Sequence, residues 1–168
     1  ATLLTTLTHG TLDVWVTIPE GWRSEEIAQK LFQTLGIPQE GFLKVSQEGY
    51  MFPDTYLIPK EASAGAVAKM MLSNFQRRWE EGIGLKDQRE IVTLASIVER
   101  EVKEEKDRPI VSGVLLKRLK NGMSLDVDAT VQYAVANLKC QISNLKCQWW
   151  PKKLTRQDLR INSPYNTY

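Results

Sequence analysis

Apolar and polar residues alternate through Leu12-Asp-Val-Trp-Val-Thr-Ile18, and a period of two predicts a half-buried strand. Pro19, Glu20 and Gly21 break it. The period then lengthens. Ile27, Ala28, Leu31 and Leu35 recur at helical spacing, with Ser24 as the expected N-cap and Gly36 as the C-terminal stop. Pro38 forbids continuation. Residues 37–60, with Gly41, Gly49, Pro53 and Pro59, read as irregular. A second helix is expected from about Ala64 to Glu81 on the stripe Val67, Ala68, Met71, Phe75 and Trp79, stopped by Gly82 and Gly84. A third starts near Asp87, with Glu90 placed as in a capping box. Its stripe is Ile91, Leu94, Ala95, Val98 and Val102, and the charged run 101–108 closes it. Pro109 suits the first turn of a fourth helix, carried by Ile110, Val114, Leu115 and Leu119 and ended by Gly122. A short extended piece, a helix near Thr130 to Ala136, a loop and a polar tail complete the chain. The expected class is α+β with helix dominant.

Composition narrows the function classes. The chain has 168 residues and 42% apolar content, enough for a packed core in one domain, or one domain and a small module. The 22 basic and 20 acidic residues leave a net charge of +2. That balance argues against a nucleic-acid binder, which concentrates basic residues on one surface. Lys117, Arg118 and Lys120 are read as a solvated helix face. No stretch reaches the roughly 18–20 apolar residues that span a bilayer. Any membrane attachment is therefore expected upstream of Ala1, outside this sequence. Cys140 and Cys147 sit in a small repeat, Asn-Leu-Lys-Cys-Gln, given no functional weight; a disulfide and two free thiols are both compatible with it. With His9 the sole histidine, no metal or cofactor site is expected.

The chain lacks a Gly-rich phosphate loop and a serine–histidine pair with a third member. Proton transfer then falls to carboxylates and tyrosines. Glycosidic cleavage uses a carboxylic acid at the leaving oxygen, kept protonated by burial among apolar neighbours. On the third helix Glu99 and Glu101 flank the apolar stripe at about 80° on either side. Periodicity does not choose between them, and both also read as ordinary flank acids beside Arg100 and Lys103.

Four segments change that balance. Ala95-Ser-Ile-Val-Glu-Arg-Glu101 resembles the catalytic helix of the YceG-like family of endolytic murein transglycosylases (MltG). Glu48-Gly-Tyr-Met-Phe-Pro-Asp-Thr-Tyr56, the stretch from Arg118 to Tyr133 and Ser163-Pro-Tyr-Asn-Thr-Tyr168 resemble further segments of that family, in the same order. The resemblance implies Glu99 as the catalytic glutamate. It implies Glu101, Glu48, Asp54, Tyr56, Asp128, Thr130, Tyr133, Tyr165 and Asn166 as candidates to line a sugar groove. Each also has a structural reading: Asp54 in an Asx-turn, Asp128 as a helix cap, the tyrosines as core. Ala129 stands where the family usually has proline, and Asp126 where it often has glutamine. The family continues beyond its counterpart of Tyr168, so the catalytic part is expected to be C-terminally incomplete.

The segment Val16 to Leu31 is similar to a LysM-like module, which binds N-acetylglucosamine polymers; Trp22 is placed to stack on a sugar or to staple the helix start. The expected organisation is a partial LysM-like subdomain over residues 1–45 and a helix-rich transglycosylase domain over 46–168. The expected substrate is the glycan strand of peptidoglycan at the extracytoplasmic face of the membrane, with cell-wall synthases as protein partners. The alternatives are a non-catalytic peptidoglycan-binding or scaffold module, and a hydrolytic muramidase drawing a second carboxylate from Asp54 or Asp128.

Overall fold

The computed structural model describes residues 13–82, 87–142, 150–151 and 153–168, except for the side chains of 139–142. The expectations for His9, the Gly84 stop and the Cys140–Cys147 question lie outside them. The fold is α+β and helix-rich. The chain forms two compact units, Ala1–Val92 and Thr93–Tyr168.

In the first unit, strand β1 (Asp13–Thr17) leads to helix α1 (Ser24–Leu35), a short helix α2 (Gln39–Leu43), strand β2 (Thr55–Pro59) and the long helix α3 (Ala64–Gly82). β1 and β2 pair antiparallel, Asp13 opposite Pro59 and Thr17 opposite Thr55. Strand β2 corrects the irregular reading of 37–60. Tyr56 and Ile58 point inward while Thr55, Leu57 and Pro59 face out, an alternation that five residues hemmed by Pro53 and Pro59 express weakly. The core comprises Val16, Ile27, Leu31, Phe42, Ile58, Val67 and Met71, all essentially sealed from solvent. Because β2 and α3 contribute to this core, residues 13–45 do not pack separately from residues 46–82.

Ser24 is not the cap of α1. Arg23 is the N-cap, and its backbone N–H donates to the Glu26 carboxylate at 3.0 Å. Ser24 is the buried first helical residue. Its N–H, without a partner inside the helix, donates to Glu48 Oε2 at 2.9 Å. Gly36 closes α1 at φ 72° with its N–H on the Phe32 carbonyl, as expected. On α3 all five expected stripe residues are buried, joined by Asn74.

Helix α4 (Gln88–Glu101) begins where Asp87 Oδ1 accepts from the N–H groups of Arg89 and Glu90. The boundary between the units falls inside it. In the second unit a 3-10 turn (Glu105–Asp107) leads into α5 (Arg108–Lys120), and α6 (Asp128–Ile142) comes after an extended stretch. Val98, Val102, Leu115, Val127 and Ala129 form the core that joins these elements. Two stripes need correction. On α4 Ala95 is exposed, and Ile91 and Leu94 are only half-buried. On α5 Leu115 alone of the expected four is buried, while Ile110, Val114 and Leu119 face solvent. Helix α6 is longer than its expected Thr130–Ala136.

Candidate functional site

Three of the four motif segments meet in the second unit. Glu99 sits two residues before the end of α4. Its Oε2 lies 2.9 Å from Nη2 of Arg108, the first residue of α5, with about 30% of each side chain exposed. The expectation of an acid nested among apolar groups is not what this geometry presents. Glu99 is half-buried and its near neighbour is a guanidinium. Val102 is buried just past the end of α4, and Pro109 lies in the first turn of α5. The short 3-10 turn between them leaves the two charges in contact.

Glu101, exposed on α4, accepts from the Ala129 N–H at 3.4 Å, a weak bond at the N-terminus of α6 where a negative charge is favoured. Asp128, the first residue of α6, is exposed and accepts from the Tyr168 hydroxyl at 2.6 Å. That bond to a carboxylate, followed by burial and nearby negative charge, pushes the Tyr168 phenol up to about 12. Thr130 is buried, donates to the Val127 carbonyl at 2.7 Å and shares a 2.9 Å hydroxyl contact with Thr167. Thr167 also accepts from the Val127 N–H, and its carbonyl from the Asp126 N–H. Tyr133 packs edge-on against the exposed Tyr165, centroids 4.9 Å apart. Asn166 uses its amide internally, donating to the carbonyls of Leu159 and Ile161 and accepting from the Tyr168 N–H. The C-terminal segment thus lies along the first turns of α6, with Glu101 at the same helix end.

The loop before α6 is held from α5. Arg118 Nη1 donates to the Leu125 carbonyl at 2.9 Å and to Asp126 Oδ2 at 3.2 Å. Asp126 has φ 52°, a left-handed conformation that aspartate tolerates better than most residues. Its other oxygen accepts from Ser124 at 2.7 Å.

The fourth motif segment, 48–56, lies in the first unit, and its side chains tie the loop to that unit's helices. Glu48 holds the start of α1. Gly49 turns at φ 83°, and a Cβ there would come within 2.9 Å of Val92 Cγ1, so a side chain at 49 strains the backbone and pushes the Val92 methyl aside. Tyr50 meets Phe75 edge-on at 5.0 Å. Arg78 lies 5.9 Å over the Phe52 ring. Tyr56 is core, with its hydroxyl donating to the Phe52 carbonyl at 2.7 Å. Asn74 Nδ2 donates to Asp54 Oδ2 at 2.9 Å and to the Tyr56 hydroxyl at 3.1 Å. The Asn74 bond, more than any other influence, holds the Asp54 carboxyl below the usual range, aided by the Thr55 N–H. Burial moves Tyr56 the other way, upward. Arg77 completes the network by donating to Asn74 Oδ1 at 2.6 Å.

Sequence reasoning missed Arg108, Asn74, Arg77 and Tyr168. Tyr168 was available inside its own motif. Arg108 was hidden in a charged run, where only tertiary structure says which acid each base meets. Asn74 was visible as a polar residue within the apolar stripe of α3.

The model of the YceG-like family matches residues 1–168. An endolytic murein transglycosylase from Streptococcus pneumoniae serotype 2 (strain D39) is 28% identical over 193 residues, covering 91% of this chain and 34% of the relative. One from Bacillus subtilis (strain 168) is 31% identical over 132 residues, covering 75% and 33%. The chain therefore spans about a third of the length of these curated relatives. The crystal structure of a YceG-like protein from Listeria monocytogenes has the same fold, with a TM-score of 0.76 at 24% identity over 99% of this chain and 64% of that one.

Proposed function

The chain belongs to the YceG-like family, and from that membership we propose that it is part of an endolytic murein transglycosylase, cutting peptidoglycan glycan strands with Glu99 as acid and then base. In this reading Glu99 donates a proton to the glycosidic oxygen between N-acetylmuramic acid and N-acetylglucosamine. Positive charge develops on the sugar ring. The carboxylate then takes the proton of the muramic acid 6-hydroxyl as that oxygen attacks the anomeric carbon, leaving a 1,6-anhydro end. One carboxyl group serves both steps because the attacking group belongs to the substrate.

The observation that carries the reading is the placement of Glu99. It is half-buried, reachable from solvent and held at 2.9 Å by Arg108, in the same unit as the Asp128–Tyr168 pair. The ion pair belongs to the carboxylate, the form that receives the 6-hydroxyl proton. The donor step uses the carboxylic acid. Glu101, Asp128 and Tyr165 are exposed and serve as sugar contacts, with Tyr133 backing Tyr165. Thr130 and Asn166 are scaffold for this unit, through the bonds they make to its backbone; Glu48, Asp54 and Tyr56 make their bonds within the first unit.

In the first unit, residues 13–59 run strand, turn, helix, short helix and strand. That order supports the LysM-like reading. The site of action is the extracytoplasmic face, with cell-wall synthases as neighbours. No helix of the described residues is long and apolar enough to cross a membrane.

The test is incubation with purified glycan strands and mass analysis of the products, comparing the parent with Glu99→Gln. Anhydro ends from the parent and none from the variant are expected. Reducing ends would favour the muramidase. Strand binding without cleavage, in a protein carrying the family's full length, would favour the non-catalytic module.

A further inference from the structure

Arg100 stands in sequence between the two acids at the end of α4 and pairs with neither. Glu99 lies against Arg108 at 2.9 Å, and Glu101 accepts from the Ala129 N–H at 3.4 Å. The Arg100 side chain is exposed in the last turn of the helix. Its guanidinium makes no hydrogen bond or ion pair among the described residues.

What it does touch is a ring. The guanidinium carbon lies 3.7 Å from the ring centroid of Trp150. That is van der Waals contact, the distance at which a guanidinium stacks on an aromatic face. Trp150 is half-buried, and the segment that carries it is tied to α6, where Gln132 Nε2 donates to the Pro151 carbonyl at 3.1 Å. A long side chain lodged on such a ring has already given up much of its rotamer freedom, so an anion that binds it orders less.

A leucine at position 100 would pack on the indole as well. Arginine adds a charge and a planar fork of N–H donors, for which the described residues supply no acceptor. The negative charge on either side is already offset, at Glu99 by Arg108 and at Glu101 by the start of α6. The fork matches a carboxylate, which takes two parallel N–H bonds from it.

We infer that Arg100, braced by Trp150, is a carboxylate subsite beside Glu99, taking an anionic group that the glycan strand carries on muramic acid. The inference rests on the transglycosylase reading for its ligand. The sugar backbone itself is uncharged. Carboxylates enter through the lactyl group of muramic acid in a strand stripped of peptide, or through the peptide stem, and both present the same chemistry to the guanidinium. Because Arg100 is exposed, the contact is worth about tenfold in Kd, the scale of one hydrogen bond to a charged group.

Calorimetric titration of the 168-residue chain carrying Glu99→Gln, so that nothing is cut, compares three ligands. They are peptide-free glycan strands, the same strands with their lactyl carboxylates converted to methylamides, and strands with stem peptides intact. One or both carboxylate-bearing strands should bind about tenfold more tightly than the neutralised ones, and the tighter of the two identifies the source. Adding Arg100→Gln should abolish that preference and leave binding of the neutralised strands unchanged, whereas a merely structural arginine would weaken all three alike. Trp150→Leu should reduce the preference. Equal binding of all three strands, or of none, would overturn the inference. So would a preference that survives Arg100→Gln, one that Trp150→Leu leaves intact, or neutral-strand binding lost together with it. Anhydro ends from the chain with Glu99 restored, without any preference for carboxylate, would sink the subsite and spare the transglycosylase reading. The preference without cleavage would do the reverse.

Discussion

The two units are stabilised by different means. The first is packed: Phe42, Ile27, Leu31, Ile58, Met71, Val16 and Val67 are its fully buried side chains, gathered between a two-stranded sheet and three helices. The second is built on smaller side chains, Val98, Val102, Leu115, Val127, Val131 and Val135 with Ala129, Ala134 and Ala136, and it too carries polar ties. Arg118 holds the loop before α6, Asn166 two carbonyls, Thr167 the Val127 N–H, and Tyr168 the Asp128 carboxylate. Apolar packing resists water but offers no chemistry. Polar ties leave carboxylates partly exposed and oriented, which a sugar-cleaving site requires. The candidate catalytic glutamate belongs to the second unit.

Five substitutions and one titration probe that contrast. Glu99→Gln should lower formation of anhydro ends by about 10²- to 10⁴-fold, the usual range for losing a general acid–base, with the melting temperature little changed; product analysis and calorimetry check both halves. Phe42→Ala should destabilise the first unit by about 3–5 kcal/mol, as large cavities in sealed cores do. The equivalent Leu115→Ala in the second unit should fall at the lower end, about 2 kcal/mol, and urea melts of the two variants compare the cores directly. Asn166→Ala leaves the Leu159 and Ile161 carbonyls without that donor and should cost about 1–3 kcal/mol, read as faster hydrogen exchange confined to the second unit. Glu48→Ala removes the carboxylate at the start of α1 and should cost about 0.5–1 kcal/mol by the same melts.

The smallest effect is a titration. Tyr168 is raised in the folded chain to about 12, above the ordinary value near 10. Its contribution to stability is therefore complete below pH about 10 and is lost as pH rises through about 12. Difference absorbance against Tyr168→Phe should show one phenol ionising late, and Asp128→Asn should return it toward the ordinary range. A late phenol that persists in Asp128→Asn would refute the tie.

Much of the fold was written in local pattern. The stripe Val67, Ala68, Met71, Phe75 and Trp79 is buried as its spacing predicts, and Gly36 ends α1 in the left-handed conformation its position implied. Asp87 caps α4 because a short carboxylate before a helical run finds free N–H groups. Strand β2 was missed because a strand of five residues becomes distinct only when β1 lies beside it. Helix α5 was assigned the wrong face because apolar residues surround it, and periodicity then holds no direction. The site divides the same way. The resemblance selected Glu99 from a pair that helical geometry leaves equivalent, but not its environment.

By itself, then, the sequence determined the long helices and the balance of charge, and it narrowed the expected chemistry to carboxylates and tyrosines. These stem from residues a few positions apart, whose interactions the chain's own period dictates. Tertiary structure alone decided that Glu99 meets Arg108, that Glu101 turns to the start of α6, that Asp128 is held by Tyr168, and that Glu48 and Asp54 serve their own unit. Those pairings join side chains distant in sequence. Which acid finds which donor depends on how helices stop, reverse and pack, and no local period encodes that.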